Sequence, residues 1–356
     1  MIFRRRRSWT VRLALAAVVV LASPGVAGGE PPHPVDLCRV QDQRLAELSG
    51  LASDGRQWYA VSDGGDRIQV LVLDRDCTVR RVITADVDPY DVEDLARAPD
   101  GTLWLADTGD NRKQRETVAL HVVSPNGNTT LYRLTYPDGP HDAEALLLGA
   151  DGTPYLVTKQ PLGGAKVYRP ARPLTSPGPT PLERVATVWL GPTDTPGGPV
   201  ANAVGSRVVT GGAVSADGTV VALRTYTDAY LFPAPDKDVV AALAREPVRV
   251  PLPNEQQGEA IAFEPDGTLL SASEGLQPIR AVPHATQLVA DRMNQQETTA
   301  NEQTPAPGSP AVRDETEGVG AGDAGTIDSW RAWGVAGVAA ALTIVVLGRR
   351  RRRRRS

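Results

Sequence analysis

The sequence predicts an all-β protein, a β-propeller of five four-stranded blades, from three observations. A motif of two short apolar runs joined by Asp-Gly occurs five times in the 356 residues. In every copy the leading residue stands seven positions before the turn aspartate, and successive turns are 46, 51, 66 and 49 residues apart. Further strand-like runs follow most copies. Each unit therefore has the length and strand count of a propeller blade.

Each copy has the composition of a β-hairpin. The clearest one, residues 91–111, reads DVEDLARAPDGTLWLADTGDN. Asp-Gly between two apolar runs favours a tight turn, because glycine readily adopts the positive φ that such a turn needs. The third unit is longer and contains a Pro/Gly-rich insertion around residues 191–198. The turn aspartates are Asp54, Asp100, Asp151, Asp217 and Asp266.

The ring of blades must close, and residues 35–40 are predicted to add an outer strand to the last blade. A sixth, degenerate blade within residues 275–290 is the alternative to five blades. A β-sandwich is the alternative fold, although sandwiches lack a period near 50 residues. The outer strand brings Cys38 beside the first blade. A single pair of cysteines in an exported protein most simply forms a disulfide, here Cys38–Cys77.

The two ends of the chain predict export and anchoring. Residues 1–27 have the basic, apolar and small-residue regions of a signal peptide, with a short membrane anchor as the alternative. Residues 28–290 form the predicted ectodomain, and residues 291–329, which lack aromatic residues, form a disordered acidic linker. Residues 330–348 are predicted to span the cell membrane, with the propeller outside and the poly-Arg tail, residues 349–356, in the cytoplasm.

The exported part of the chain is strongly acidic. Of the 38 lysines and arginines, 12 are arginines of the signal peptide and tail, so 26 basic residues face 42 acidic ones between them. Such a surface repels nucleic acid and favours cations or basic partners. We expect no nucleic-acid partner. An envelope protein, a glycan or a small-molecule ligand fits better.

The repeat predicts a ring of carboxylates at one mouth of the central channel. In a propeller blade the first strand lines the channel, and its leading end opens on the same face as the far end of the second strand. Buried carboxylates that face one another must gain protons or bind a cation, and Ca²⁺ prefers oxygen ligands. Alternatively, each glutamate accepts backbone N–H bonds from a neighbouring blade. The predicted ring consists of Glu47, Glu93, Glu144 and Glu259.

Residues at the ends of the second strands are predicted to lie along the same rim. Asp63 and Asp107, with Arg112 and Lys113 of the following loop, are candidate ligand-binding residues. The remaining rim positions are Lys159, Arg224 and Glu274, and the candidate catalytic residues are His141, Lys159 and Arg224. The sequence contains no Gly-x-Ser-x-Gly, His-Glu-x-x-His or P-loop motif, which leaves serine hydrolases, zincins and nucleotidases without support.

The segments DVEDLARAPDGTLWLADTGDNRKQRE and YPDGPHDAEALLLGADGTPYLVTK resemble exported actinobacterial propellers. The run Glu-Ala-(Leu/Ile)-Ala-x-x-Pro-Asp-Gly-Thr-Leu resembles the "esterase-like activity of phytase" domain and, more distantly, the gluconolactonase/regucalcin family. The resemblance covers about residues 45–283. It implies a calcium-dependent propeller whose divalent ion sits at the starts of the inner strands, which matches the predicted glutamate ring. Thr210, at the fourth position, departs from that pattern because it has no carboxylate.

Two functions follow as hypotheses. The first is a membrane-anchored binding or scaffold module at the cell envelope. The alternative is a Ca²⁺-dependent phosphoesterase or lactonase that uses the acidic mouth of the channel.

Overall fold

A computed structural model describes residues 33–302, and these residues form five antiparallel four-stranded sheets. The first two blades consist of β2 (Leu48–Ser53), β3 (Trp58–Ser62), β4 (Ile68–Leu73) and β5 (Val79–Ala85), then β6 (Val92–Arg97), β7 (Leu103–Asp107), β8 (Val118–Val123) and β9 (Thr129–Thr135). The third and fourth blades consist of β10 (Ala143–Leu148), β11 (Pro154–Thr158), β12 (Ala165–Pro170) and β13 (Thr180–Val188), then β14 (Val209–Val214), β15 (Val220–Thr225), β16 (Asp228–Pro233) and β17 (Val248–Pro251). The fifth blade consists of β18 (Gly258–Phe263), β19 (Leu269–Ser273), β20 (Pro278–Val282) and the N-terminal strand β1 (Val35–Arg39).

The sheets are arranged in a ring, because the first strand of each blade contacts the first strand of the next in the cyclic order β2, β6, β10, β14, β18 and back to β2. Residues 33–302 therefore form a five-bladed β-propeller. The sixth blade considered as an alternative does not form, since residues 278–282 are the third strand of the fifth blade. A short parallel pairing of Thr180 with Leu134 also joins the outer strands of the second and third blades.

The ring closes as the sequence predicts. Strand β1 pairs with β20 in antiparallel fashion, with Val35 opposite Ala281. The disulfide Cys38–Cys77 is formed and ties this strand to the first blade. Both predictions are therefore confirmed.

The core lies between neighbouring blades rather than within one sheet. Both faces of a first strand are covered, so β2, β10 and β18 are almost wholly buried, and small residues allow the strands to approach closely. At Gly211 of β14, a Cβ atom would come within 2.1 Å of the carbonyl oxygen of Glu259 in β18. Any side chain there would push the fourth and fifth blades apart.

Four helical segments complete the described chain: a 3-10 helix (Gln43–Leu45), α1 (Asn202–Gly205), α2 (Val239–Leu243) and α3 (Ala285–Glu302). Ala285 and Val289 of α3 are buried against the strands of the fourth and fifth blades. The helix occupies residues 291–302, where the sequence analysis placed the start of a disordered linker. Residues 285–302 contain neither glycine nor proline and include several strong helix formers, so packing of the first turns is enough to extend the helix.

None of the helices within residues 33–302 is long and apolar enough to cross a membrane. The predicted signal peptide, the rest of the linker, the predicted membrane span at 330–348 and the arginine tail lie outside the described residues.

Candidate functional site

A β-bulge near the start of each first strand defines the mouth of the channel. The pairing register of every first strand slips by one residue, which leaves one residue without a cross-strand partner and redirects its side chain. The five bulge positions are equivalent around the ring. They are Ser49, Glu93, Glu144, Thr210 and Glu259.

The first blade contributes Ser49 to this ring instead of the predicted Glu47. The Ser49 hydroxyl donates to the carbonyl oxygen of Val92 at 2.9 Å, and the Thr210 hydroxyl donates in the same way to Gly258 at 2.8 Å. Both therefore tie one blade to the next. The predicted ring of four glutamates thus becomes three glutamates and two hydroxyl groups.

In the first blade, counting seven residues back from the turn aspartate does not reach the bulge, because the hairpin turn of this blade is shorter. The pair Ser53–Trp58 encloses four residues, of which Asp54 is the first. The pair Arg97–Leu103 of the second blade encloses five residues, of which Asp100 is the third. Counting back seven positions from Asp54 therefore ends two residues before the bulge.

Three buried carboxylates, Glu93, Asp142 and Glu144, meet at the mouth between the second and third blades. One oxygen of each lies within 4.8 Å of the other two. The Lys159 Nζ atom donates to Glu144 Oε1 at 2.5 Å. We refer to Glu93, Asp142, Glu144 and Lys159 as the mouth cluster.

One oxygen of the mouth cluster, Glu93 Oε1, is buried and has no hydrogen-bond partner among residues 33–302. It lies beside Gly109, where a Cβ atom would come within 2.1 Å of it. The absence of a side chain at Gly109 therefore leaves room for the carboxylate. An unpartnered buried carboxylate oxygen is costly, which indicates a site for a cation or a proton.

The protonation behaviour of the mouth cluster follows from its burial. Burial raises the pKa of Glu93 well above its usual range, and the neighbouring Glu144, Asp91 and Asp142 raise it further. Burial also raises the pKa of Glu144 to about 8, against the opposing charge of Lys159. Burial lowers the pKa of Lys159, but Glu144 and the other acidic groups around it raise this pKa well above the ordinary value.

Glu259 interacts electrostatically with Lys159 of the mouth cluster. Gln257 Nε2 donates to Glu259 Oε1 at 2.8 Å and also to Glu274, so this amide bridges two carboxylates. Glu259 Oε2 is buried and has no hydrogen-bond partner in the described part of the chain. Burial and Glu274 raise its pKa well above the usual value, with a contribution from Asp63.

Asp94, the residue after Glu93, closes the channel below the mouth. Its fully buried carboxylate accepts the backbone N–H of Leu146 at 2.7 Å, of Gly212 at 3.1 Å and of Leu95 at 2.8 Å. It therefore connects the second, third and fourth blades. Burial nevertheless raises its pKa. This role was not predicted from the sequence, although a charged residue where the other first strands carry glycine or alanine was a usable signal.

Asp107, a predicted ligand-binding residue, holds the segment that leads into the mouth cluster. Its buried carboxylate pairs with Arg115 at 3.0 Å and His121 at 3.1 Å, and accepts the backbone N–H groups of Tyr90 and Asp91. These bonds fix the segment that leads into Glu93.

The loop after β7 also holds the third carboxylate in place. Asp142 Oδ1 accepts the backbone N–H of Asp110 at 2.7 Å, and Asp110 in turn accepts N–H bonds from Gln114 and Arg115. Arg112 and Lys113 of this loop are exposed, and no contact joins them to the mouth cluster within the described residues.

His141 belongs to a neighbouring cluster in the third blade. Its Nε2 atom lies 2.9 Å from both Asp138 Oδ1 and the Tyr168 hydroxyl, while Lys166 donates to Asp138 at 2.7 Å. Burial lowers the pKa of His141, which favours the neutral ring. Its Nδ1 atom is buried and has no hydrogen-bond partner among residues 33–302, and the ring packs edge-on against Tyr136.

Arg224 lies inside the interface between the fourth and fifth blades and does not reach the mouth. It is fully buried, pairs with Glu255 at 2.7 Å and donates to the Ser271 hydroxyl at 2.9 Å and the Ala260 carbonyl oxygen at 3.0 Å. Its role is to hold two blades together. Of the three candidate catalytic residues, the structure brings only Lys159 into the mouth cluster.

Asp63 lies on the rim as expected. Its backbone N–H donates to the carbonyl oxygen of Glu47 at 3.1 Å, and its charge raises the pKa of Glu259. A charge on the rim of the first blade therefore acts on a carboxyl group at the mouth.

No protein-family model matches the sequence. No curated protein matches it either.

Solved structures are similar to part of this chain at low identity. Virginiamycin B lyase from Staphylococcus aureus is 13% identical, with a TM-score of 0.35 over 67% of this chain and 66% of its own. A gluconolactonase from Xanthomonas campestris is 14% identical, with a TM-score of 0.39 over 71% of this chain and 95% of its own. The PQQ-bound aldose sugar dehydrogenase from Streptomyces coelicolor is 10% identical, with a TM-score of 0.38 over 69% of this chain and 96% of its own.

Proposed function

We propose that the mouth cluster binds a divalent cation of the calcium type and that the propeller hydrolyses carboxylic esters, including lactones, at this site. The observation that carries the proposal is the group of three buried carboxylates whose oxygens lie within 4.8 Å of one another. Calcium–oxygen distances are about 2.4 Å, so ligand oxygens around one ion are separated by at most about 4.8 Å. The spacing and the all-oxygen donor set both fit Ca²⁺.

Charge balance supports the same cation. Glu93, Asp142 and Glu144 carry three negative charges when ionised, and Lys159 neutralises one of them. A divalent cation balances the remaining two. Without the cation, protons must take its place, which agrees with the raised pKa values of Glu93 and Glu144.

The acidic surroundings favour a neutral ester over a phosphate ester. Glu274, Asp63 and Asp91 add negative charge around the mouth cluster, as their effects on the pKa values of Glu93 and Glu259 show. Two like charges 4 Å apart repel by about 1 kcal/mol in water and by about 4 kcal/mol near a protein surface. A phosphate ester meets this repulsion, whereas the carbonyl of an ester or lactone does not.

A bound divalent ion would polarise the carbonyl oxygen of the substrate as a Lewis acid. We assign proton transfer to Glu259, because its Oε2 atom is buried without a hydrogen-bond partner in the described residues, and because burial and Glu274 raise its pKa, which favours a carboxyl group that can hold a proton. Glu259 takes a proton from the attacking water while that water's oxygen bonds to the carbonyl carbon. It then gives the proton to the departing alkoxide as the C–O bond breaks. Lys159 donates to Glu144 and opposes the effect of burial on the pKa of that carboxyl group.

The test is a hydrolysis assay of the full-length protein with γ- and δ-lactones and aryl acetates, with added Ca²⁺ and with chelator. We expect Ca²⁺-dependent turnover that falls at least about tenfold in Glu93→Gln and Glu144→Gln. Glu259→Gln is expected to lose turnover while retaining Ca²⁺ binding. Glu183→Gln, an exposed carboxylate that pairs with Arg169, is the matched control.

Two outcomes would contradict the proposal: no turnover of any ester or lactone in the presence of Ca²⁺, or turnover that survives both substitutions in the mouth cluster. A folded protein that turns over none of these substrates is what the binding or scaffold hypothesis predicts. The same assay therefore separates the two hypotheses.

A further inference from the structure

A cavity of about 260 Å³ opens between the first and second blades, outside the mouth cluster. Its apolar floor is formed by buried side chains of both blades, including Val61, Leu71, Val92 and Leu105. One wall is the segment from Gln43 to Glu47, and the other is the loop between β3 and β4. The cavity therefore reaches the top of the hydrophobic core between two blades.

The cavity shares a wall with the mouth. Ser62 and Gly64 line the cavity, and Asp63 between them raises the pKa of Glu259. In the second blade Pro89 and Val92 line the cavity.

Two sequence neighbours of Pro89 and Val92, namely Asp91 and Glu93, do not line the cavity. Asp91 lies between Pro89 and Val92 and raises the pKa of Glu93, the residue that follows Val92 and belongs to the mouth cluster. Residues 62–64 and 89–93 therefore contribute both to the lining of the cavity and to the electrostatic surroundings of the mouth.

The rim of the cavity offers little net charge to an ionised ligand. Arg44 pairs with Asp42 at 2.7 Å, and Arg67 pairs with Asp66 at 3.4 Å. Glu47 adds a carboxylate that disfavours an anion. An apolar floor with a largely paired rim suits an uncharged hydrocarbon group.

We propose that this cavity binds the acyl chain of the substrate, so that the protein acts on esters or lactones carrying a short hydrocarbon chain of about six carbons. The inference rests on the proposed function and deepens it by naming the substrate class. At about 30 Å³ for a group of the size of water, the cavity holds about eight or nine such groups. In this proposal a chain of six carbons occupies the cavity, and the carbonyl group lies at its rim on the side of Ser62 and Gly64, which flank Asp63.

The experiment compares the full-length protein with Gly64→Leu, which places a side chain at the cavity entrance. The Gly64 φ is not in the left-handed region, and the nearest atom to an added Cβ is the flexible Glu47 carboxylate at 2.9 Å. Gln43→Trp, on the opposite wall, is a second variant in case Gly64→Leu does not fold. The matched control is Gly191→Leu, another glycine without positive φ, whose Cβ would meet nothing within 4 Å.

Two measurements are made on each protein. The first is kcat/KM for aryl hexanoate and aryl acetate with Ca²⁺. We expect hexanoate to be preferred at least tenfold, the preference to fall at least tenfold in Gly64→Leu and Gln43→Trp, and no change in Gly191→Leu. The second is saturation-transfer NMR with hexanamide, which carries the chain and carbonyl but needs no hydrolysis. Its methylene signals should be saturated by the wild-type protein and by Glu93→Gln, and lost in Gly64→Leu.

The two measurements separate failure of the cavity from failure of the proposed function. If no ester is hydrolysed but hexanamide binds in a Gly64-dependent way, the proposed function fails and the cavity assignment stands. If hexanamide shows no saturation, or equal saturation in wild type and in both cavity variants, the assignment of the cavity is overturned. An ester preference that is unchanged in both cavity variants overturns it as well.

Discussion

Calcium binding to the mouth cluster should release protons, and Glu144 fixes how many. Burial raises the pKa of Glu144 to about 8, so about nine in ten molecules hold this proton at pH 7 and about half at pH 8. A carboxylate must be ionised to ligate Ca²⁺. We therefore expect at least about 0.9 proton released per ion bound at pH 7, with Glu93 adding to this number. The proton on Glu144 alone should make the apparent affinity rise about tenfold per pH unit below pH 8, and the proton on Glu93 should make the rise steeper.

The measurement is isothermal titration calorimetry of Ca²⁺ into the full-length protein at pH 7, 8 and 9. Two buffers of different ionisation enthalpy are used at each pH, because the difference in heat counts the protons. Glu144→Gln should bind Ca²⁺ at least about tenfold more weakly and release fewer protons, while the exposed Glu183→Gln should match the wild type. Heats at pH 7 that do not depend on the buffer, or a Glu144→Gln protein that behaves like the wild type, would refute the reasoning.

The same group gives a stability prediction with a definite sign. The unfolded chain has the ordinary glutamate pKa of 4.5 and the folded chain has the raised pKa of about 8. The folded state therefore holds more protons between these values. Without Ca²⁺, the contribution of Glu144 to stability is complete below pH 4.5 and is lost as the pH rises through 8, at up to about 1.4 kcal/mol per pH unit. Adding Ca²⁺ at a hundred times its Kd should restore about 2.7 kcal/mol, measured by chemical denaturation.

Three further predictions concern the interfaces between blades, each measured by denaturant unfolding. Arg224→Met leaves the buried Glu255 without its 2.7 Å partner and should lower the free energy of unfolding by about 3–5 kcal/mol. Arg169→Met breaks the exposed ion pair with Glu183 and should lower it by under about 1 kcal/mol. Similar losses in the two variants would argue against a buried structural role for Arg224. Asp94→Ala removes the hydrogen-bond acceptor of two backbone N–H groups on other blades and should lower the free energy of unfolding by about 2–5 kcal/mol. A loss below about 1 kcal/mol would contradict the proposed role of Asp94 in connecting the blades. Cys38→Ser removes the disulfide and should cost about 2–5 kcal/mol, and reducing the wild type should reproduce that loss; no loss in either would show that the strand pairing closes the ring alone.

The fold was largely predictable because its determinants are local and repeated. Each Asp-Gly turn marks a hairpin by itself, and the spacing of the turns gives the number of blades. Closure followed from an unassigned strand-like run before the first hairpin. The two cysteines added a constraint that agreed with it, and the disulfide and strand pairing confirm the prediction.

The site was predictable only where the blades share one turn length. Glu93 and Glu144 keep the seven-residue offset and meet at the mouth, but the shorter first turn moves the bulge to Ser49. Offsets count residues along the chain, whereas a side chain's direction depends on the bulge and the turn together. The third carboxylate, Asp142, was missed because it precedes β10 and is brought in by a backbone bond from another blade.

Arg224 shows a different limit of the sequence. Its place at the end of a second strand is correct, but a long side chain at that position can point to the mouth or into the next interface. The choice depends on Glu255 and Ser271, which are 31 and 47 residues away in the chain. Residues so distant in sequence give no periodic signal.

The fifth blade is built from both ends of the propeller sequence, and this fixes when the ring can be completed. Strand β1 emerges first during synthesis, yet its partner β20 lies more than two hundred residues later, with Val35 opposite Ala281. A chain interrupted before residue 278 therefore has no partner strand for β1. Loss of residues 33–39 by proteolysis would expose β20 as an unpaired edge open to other strands. If the predicted signal peptide, residues 1–27, is removed, about seven residues precede β1, and an N-terminal tag placed there is joined close to the strand that closes the ring.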